Sequence, residues 1–312
     1  MISVIIPHLD QPEALRRCLE SLSAQKGVGT PVEIIVVDNG STMLPERICS
    51  AFPKVTLLSE PTPGPGPARN LGTLRALGEL LAFIDADCIA GEGWLHEIEV
   101  TFSENPEIAI IGGDVRIAYE NPQKMTRLEA YESVFAYRMK EYIAKQGFTG
   151  TGNLAVRAKV FAEVGPFGGI EIAEDRDWGQ RALRLGYRTH YRAAMIIYHP
   201  ARRSFAELAR KWDRHTAHDF EAIRSKHGWW FRWILRSFAV ALSPAAEIAR
   251  IGLSDRLQGV RPRLLALLGV AQIRLYRARI MLALAFGANS SDLSGNWNRT
   301  SLPVPSDGSK PG

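Results

Sequence analysis

The stretch Leu80–Ile89 (Leu-Leu-Ala-Phe-Ile-Asp-Ala-Asp-Cys-Ile) carries the pair of side chains best suited to chemistry. Asp85 and Asp87 follow the apolar run Leu80–Ile84, which reads as a buried strand. Carboxylates one residue apart at a strand end lie close together without having to point the same way. One can reach a divalent cation while the other reaches a ribose or a second cation site. Such a pair buried without a counter-charge is costly, because desolvation disfavours both ionised forms. A metal diphosphate would supply the counter-charge. Taken alone, Asp-Ala-Asp also fits a loop with two solvated acids.

The surrounding elements decide where those acids stand. Ser3–Pro7 is a β-branched run closed by proline and reads as a first buried strand. Asp10 is expected to cap a helix, with Pro12 in its first turn, Glu13 completing a capping box, and Leu15, Leu19 and Leu22 on one face. Glu33–Val37 and Val55–Leu58 are further strands, with Asp38-Asn-Gly-Ser41 a turn after the former. Glu60–Pro67 is too proline-rich for a helix or strand interior, so the next helix is expected from Ala68 to about Gly78. Strands alternating with helices at these spacings predict a largely parallel α/β sheet. Ligands of such sheets gather beyond the carboxyl ends of the strands, where Asp38, Asp85 and Asp87 all fall.

Downstream, Trp94–Phe102 is expected as a helix, Ile108–Ala118 as a strand and Thr126–Gln146 as a helix. Phe148–Asn153 is a small-residue turn leading to Leu154–Arg157, and Val160–Val164 is one or two helical turns. Glu174–Gly186 predicts a helix with Trp178, Ala182 and Leu185 buried and Gly186 as its stop. Glu174 and Asp175 stand at its start, where the helix dipole favours negative charge. Ala193–Tyr198 is a last strand, ended by His199 and Pro200.

The net charge of +5 conceals an asymmetry. Residues 202–279 hold sixteen Lys/Arg against six Asp/Glu, a balance of +10 that leaves −5 for the remainder. Three scattered cysteines (Cys18, Cys49, Cys88) exclude a disulfide framework and a zinc site, and Cys18 and Cys88 read as small buried hydrophobes. Met1 leads straight into a strand with no basic leader, which gives a cytoplasmic expectation and makes Asn298-Arg-Thr a chance sequon. Ser204–Lys226 is a basic amphipathic helix, and the segments at 229–238 and 264–286 mix apolar residues with arginines. Arg232, Arg236, Arg274, Arg277 and Arg279 interrupt any bilayer-spanning run. Tryptophan with arginine suits an interface with anionic lipid, and a helical pair packed on the core fits the same pattern. The expected domains are therefore 1–200, a helical region 201–288, and a disordered tail 289–312.

Together the segments Ser3–Pro7, Ile35-Val-Val-Asp-Asn-Gly-Ser41, Ala68-Arg-Asn-Leu-Gly72, Ile84-Asp-Ala-Asp87, Gly150-Thr-Gly-Asn153 and Glu174-Asp-Arg-Asp177 resemble the family 2 glycosyltransferases of the GT-A fold. The resemblance covers about Met1–Pro200; each segment is weak alone, and their order and spacing are specific. It implies a Rossmann-like, mixed, largely parallel sheet with flanking helices. It also implies that Asp38 accepts from the imide N–H of a uracil-type base and that Pro7 lines the base pocket. Arg69 would neutralise nucleotide phosphates, with Gly64 and Gly66 allowing close backbone approach, and Asn153 with the Gly150-Thr-Gly152 turn would lie under the donor sugar. Asp87 and His199 would hold Mn²⁺ or Mg²⁺, with Asp85 on the metal or ribose. Asp175 would be the general base, Glu174 its nearest rival. His8, Leu9 and Asp10 depart from the Thr, Tyr and Asn often found there, which touches the nucleobase contacts.

The expected activity is inverting transfer of a sugar from a nucleotide-diphosphate donor, UDP-linked for preference, to a glycan or lipid-linked hydroxyl acceptor in envelope polysaccharide or glycolipid synthesis. The expected location is the cytoplasm, with peripheral contact on the inner face of an anionic membrane bringing the active site to the acceptor. Two readings from other classes compete. A sugar-phosphate nucleotidyltransferase would carry a Gly-rich basic loop after the first strand, where this chain has His8-Leu-Asp-Gln-Pro12. A non-catalytic nucleotide-sugar or membrane-surface binding protein on the same fold would not need the full acidic set. Nucleic-acid binding is not expected, because the basic helices match no recognition module.

Overall fold

The structure is a computed structural model that describes residues 1–290. The expected tail, all but its first two residues, and the sequon at Asn298 lie outside the described residues. The chain divides into two compact units, Met1–Glu120 with Phe135–Ala201, and Asn121–Val134 with the residues from Arg202 onward. Residues 121–134, expected within the first domain, cluster with the C-terminal helices instead.

The first unit is a mixed α/β layer structure. Its strands are β1 (Ile2–His8), β2 (Val32–Asp38), β3 (Val55–Ser59), β4 (Leu80–Ile84), β5 (Ile89–Ala90), β6 (Ile110–Ala118), β7 (Asn153–Arg157) and β8 (Thr189–Pro200). They form one sheet in the order β3-β2-β1-β4-β7-β6-β8-β5. The first four are parallel, β6 and β8 are parallel, and β7 runs antiparallel between β4 and β6. Helices α1 (Pro12–Ser23), α2 (Glu46–Cys49), α3 (Pro65–Arg75), α4 (Trp94–Glu104), α7 (Ala158–Val164) and α8 (Glu174–Arg184) accompany the strands. Period-2 alternation divides each strand between two cores. Val4, Ile6, Ala82 and Ile84 pack on one face with Leu15, Leu19 and Trp94. Ile5, Leu81 and Phe83 pack on the other with Phe161, Phe167 and Trp178.

Several local expectations are corrected. Asp10 does not cap α1; the N-cap is Gln11, without a side-chain hydrogen bond. Asp10 lies at φ 49° and clips two loops together, its Oδ1 accepting from the Thr42 amide (2.7 Å). The proline-rich stretch starts a helix after all, at Pro65, because first-turn prolines forfeit no intrahelical donor. Gly66 is needed there: a Cβ would lie 2.1 Å from the Gly168 carbonyl oxygen, so its close approach is to this chain's own backbone. The helix expected over 126–146 breaks into α5 (Arg127–Phe135) and α6 (Met139–Gln146), with Tyr137 at φ 30° between them. Leu185 is exposed, one residue past the end of α8, whereas Trp178 and Ala182 are buried as expected.

The second unit gathers most of α5 with α9 (Phe205–Arg224), α10 (Trp229–Leu242), α11 (Ile248–Gly252) and α12 (Val260–Ala285). Ser204 caps α9 by accepting from the Glu207 amide. Trp233 is fully buried against Phe220, Met281 and Leu284, and its Nε1 donates to the Met281 carbonyl (2.8 Å). No helix among the described residues is long and apolar enough to cross a membrane.

Candidate active site

The acidic residues converge because three elements end at one place. β4 delivers Asp85, α3 brings Arg69, and α8 starts at Glu174. Helix α8 is anchored by Trp178, whose ring stacks on Phe161 (5.6 Å) and whose Nε1 donates to the Gly165 carbonyl (3.0 Å). Burying that indole contributes about 3 kcal/mol and fixes where the first turn stands. Arg69, 4% exposed, donates through Nη2 to Asp85 Oδ1 (2.6 Å) and through Nη1 to Glu174 Oε1 (2.7 Å). The two outer nitrogens of Arg69, expected to meet phosphates, pair here with carboxylates 105 and 16 positions away in the chain.

The Gly150-Thr-Gly152 turn backs this arrangement. Thr151 Oγ1 donates to Asp175 Oδ1 (2.8 Å). At Gly152 a Cβ would stand 2.5 Å from Asp85 Oδ2, so only glycine lets the turn come this close. Burial pushes the Asp175 carboxyl up, the charge of Asp85 adds to this, and Arg69 with Thr151 opposes it; the outcome is above the usual range. Glu174 is raised chiefly by burial as well, against the pull of Arg69.

Asp87 faces the other side of the motif. Its Oδ2 lies 3.5 Å from His199 Nε2 at the end of β8. His199 Nδ1 is 2.7 Å from the Pro200 carbonyl oxygen, which can only accept, so Nδ1 carries the proton and Nε2 presents its lone pair. The Tyr137 hydroxyl sits 3.1 Å from the same ring. Donor atoms of Asp87, Cys88 and His199 lie within 4.8 Å of one another. Burial drives the Cys88 thiol far up, and its Sγ donates to Asp87 Oδ1 (3.6 Å). Burial also raises the Asp87 carboxyl, with Asp85 adding to the shift and His199 opposing it. A carboxylate oxygen, an oriented imidazole nitrogen and an excess of negative charge fit a hard divalent cation.

Two residues predicted to contact the ligand carry internal hydrogen bonds in the structure. Asp38 is buried; its Oδ1 accepts from Ser41 Oγ (2.5 Å) and His8 Nδ1 (2.9 Å), and its Oδ2 from the Ser41 and Gly40 amides. Burial raises this carboxyl, but the Ser41 and His8 hydrogen bonds outweigh it and hold it below the usual range. The turn thus consumes the acceptors expected to meet a base, which a ligand could reach only by displacing His8 or Ser41. Asn153 is likewise spent: Nδ2 donates to the Asp114 and Met195 carbonyls, and Oδ1 accepts from Trp94 Nε1 (2.8 Å). It ties β7 to its neighbours. Pro7, half-buried at the end of β1, remains free to line a pocket. Tyr137 and Cys88 are not among the expected site residues, and Thr151 is expected there only as part of the Gly-Thr-Gly turn.

The sequence model of glycosyl transferase family 2 matches residues 3–165. Glycosyltransferase AglE of Haloferax volcanii is 35% identical over 216 residues, which are 67% of this chain and 70% of that protein. The pre-mycofactocin glycosyltransferase of Mycobacterium tuberculosis is 25% identical over 311 residues, 91% of this chain and 64% of its own length. Among solved structures, TarS 1-349 of S. aureus superposes with a TM-score of 0.50 at 18% identity, covering 96% of this chain and 93% of that one, a likeness of fold.

Proposed function

The chain belongs to the family 2 glycosyl transferases, and from that premise we propose an inverting transfer from a nucleotide-diphosphate sugar, UDP-linked for preference, to a hydroxyl acceptor on a glycan or lipid-linked glycan. The observation that carries this reading is the buried Arg69, which holds Asp85 of the acidic motif and Glu174 beside the base in one ion-paired unit. The nucleotidyltransferase and non-catalytic readings give way with the family.

Asp175 is the general base. Thr151 fixes one of its oxygens, leaving Oδ2 to take the acceptor hydroxyl proton as the anomeric carbon is attacked on the face opposite the leaving diphosphate. A carboxyl raised above its ordinary range is a better base at neutral pH than a solvated one. Glu174, ion-paired to Arg69, orients the start of α8. Asp87 and His199 would hold Mn²⁺ or Mg²⁺, which offsets charge building on the departing diphosphate. Asp85 stays beside that group for the ribose or the ion, and Pro7 borders the base. The same reading includes a role in envelope polysaccharide or glycolipid synthesis and peripheral contact between the C-terminal helices and an anionic membrane.

The test is a binding screen of UDP-, GDP- and dTDP-linked sugars with Mn²⁺ or Mg²⁺, on wild type and Asp87→Ala. Metal-dependent binding of one donor class that disappears in the variant is expected. Metal-independent binding that survives Asp87→Ala would overturn the metal assignment, and a retained anomeric configuration in product would overturn the single displacement.

A further inference from the structure

Helices α10 and α12 together hold seven arginines and no acidic residue. Each also presents an apolar stripe to solvent. On α10, Phe231, Leu235, Phe238 and Leu242 follow the i, i+4, i+7, i+11 spacing and fall within an arc of about 60°. On α12, Leu264, Leu268 and Leu275 fall within about 40°. All seven are more than half exposed. The stripes belong to one surface, because Phe238 and Ala241 of α10 line the same groove as Leu275 and Leu282 of α12. A contiguous apolar face of this kind is uncommon on a protein that has no use for it.

The charges at its margin say what covers it. Arg261 and Arg279 are both exposed and stand about five helical turns apart on the same edge of the α12 stripe. Arg232 is exposed beside Phe231. Arg236 and Arg274 are already paired with Asp219 and Glu247, so the unspent cations are those at the apolar rim. A second copy of this chain would bring the same arginines against themselves. An anionic lipid surface accepts both features at once, the apolar stripe into the acyl boundary and the arginines onto phosphates. We propose that Phe231, Leu235, Phe238 and Leu242 of α10, with Leu264, Leu268 and Leu275 of α12, form a docking face that lies in the plane of an anionic bilayer, rimmed by Arg232, Arg261 and Arg279. This docking face deepens the peripheral-contact part of the proposed function and rests on it.

The test is sedimentation of the full chain with vesicles of phosphatidylcholine alone and of equal parts phosphatidylcholine and phosphatidylglycerol. The wild type is expected to partition onto the mixed vesicles and to weaken as salt rises. Phe238→Ser with Leu275→Ser is expected to lower that partition about tenfold or more, and Arg232→Gln with Arg279→Gln to lower it and flatten its salt dependence. Because the substituted side chains are exposed, circular dichroism and lipid-free nucleotide-sugar binding are expected to stay at wild-type levels. Equal partition onto both vesicle types, or unchanged partition in the Ser variant, would overturn the proposal. So would a lipid-free dimer that the Ser variant dissociates, which would assign the face to a second copy. Failure of wild-type donor binding in the lipid-free control would count against the transferase reading and leave the vesicle result standing.

Discussion

Each compact unit concentrates charge of one sign. In the first, Asp85, Glu174 and Asp175 share the buried cation Arg69 while Asp87 faces His199, and burial pushes Asp87, Glu174 and Asp175 upward. In the second, burial pushes Lys211 and His215 down and Arg277 down to about 10, and neighbouring cations add to each shift. The two excesses end differently. Asp85 and Asp87 keep 36% and 26% of their side chains open to solvent, so a cation can arrive from outside. Arg277 is 7% exposed and lies 3.8 Å over the Trp212 ring, whose negative face absorbs part of its charge within the fold. Unbalanced charge makes a site only where something can enter to balance it.

The acidic side should break hardest. Asp175→Asn keeps the Thr151 contact but removes the base, and should lower kcat by roughly 10²–10⁴-fold with donor binding retained. Product formation beside nucleotide-sugar binding measures this; a kcat within a few-fold of wild type would transfer the base to Glu174. The pH dependence should follow. Because Asp175 is raised, activity should fall as pH drops through a value above the ordinary carboxylate range. The same shift makes its contribution to stability fully present below its unfolded pKa and lost as pH rises through the folded one. Asp38 has the opposite sign: its contribution is present above its unfolded pKa and lost as pH falls through its lowered folded pKa. Asp38→Asn should therefore flatten the acid side of a stability profile, and Asp175→Asn the side above it.

Next in size is Arg69→Met, which strands two carboxylates without their counter-charge. The expected loss is about 3 kcal/mol, the lower end for breaking a buried pair, because Asp85 is open enough to rehydrate. Chemical denaturation measures it, and a loss under about 1 kcal/mol would show the ion-paired unit to be loose. Gly152→Ala should cost less stability, about 1–2 kcal/mol. Its Cβ would have to displace Asp85 Oδ2 from 2.5 Å, so donor affinity should fall with it while Asp175-dependent steps keep their pH profile.

Much of the first unit could be read in advance because its signals are local. The apolar run Leu80–Ile84 is β4 to the residue, and both strand-end acids stand where the pattern put them. Residue partners across long separations could not be read that way. Periodicity reports which face a residue occupies, not which of several acids a buried arginine will choose, so the Arg69 bridge to Glu174 was invisible. The family resemblance implies ligand contacts for Asp38 and Asn153, whose side chains offer acceptors and donors. Whether the chain uses these itself depends on His8, Ser41, Trp94 and Met195, which fold in from elsewhere. Proline content misled at Pro65 for a local reason: it argues against helix interiors and says nothing against a first turn. In the second unit the helices were legible from their mixture of apolar residues and arginine. Which stripe faces solvent depends on how α10 and α12 pack on each other, and Trp233 decides that.

The smallest expected effect tests the comparison most directly. Arg277→Met removes a buried cation, as Arg69→Met does, yet it should change stability by less than about 1 kcal/mol in either direction. The guanidinium over Trp212 contributes up to about 2 kcal/mol of cation–π attraction. Against that stand its desolvation, the repulsion from Arg274 and a buried Nε that no acceptor meets. Among the described residues no carboxylate depends on Arg277 through a hydrogen bond, so none of them is stranded when it goes, and methionine fills the same slot beside the indole. Denaturation of the two methionine variants under one condition should therefore separate them by about 2 kcal/mol or more. Equal losses would mean that Arg277 balances charge as Arg69 does, and the contrast between an open acidic excess and an absorbed basic one would fail.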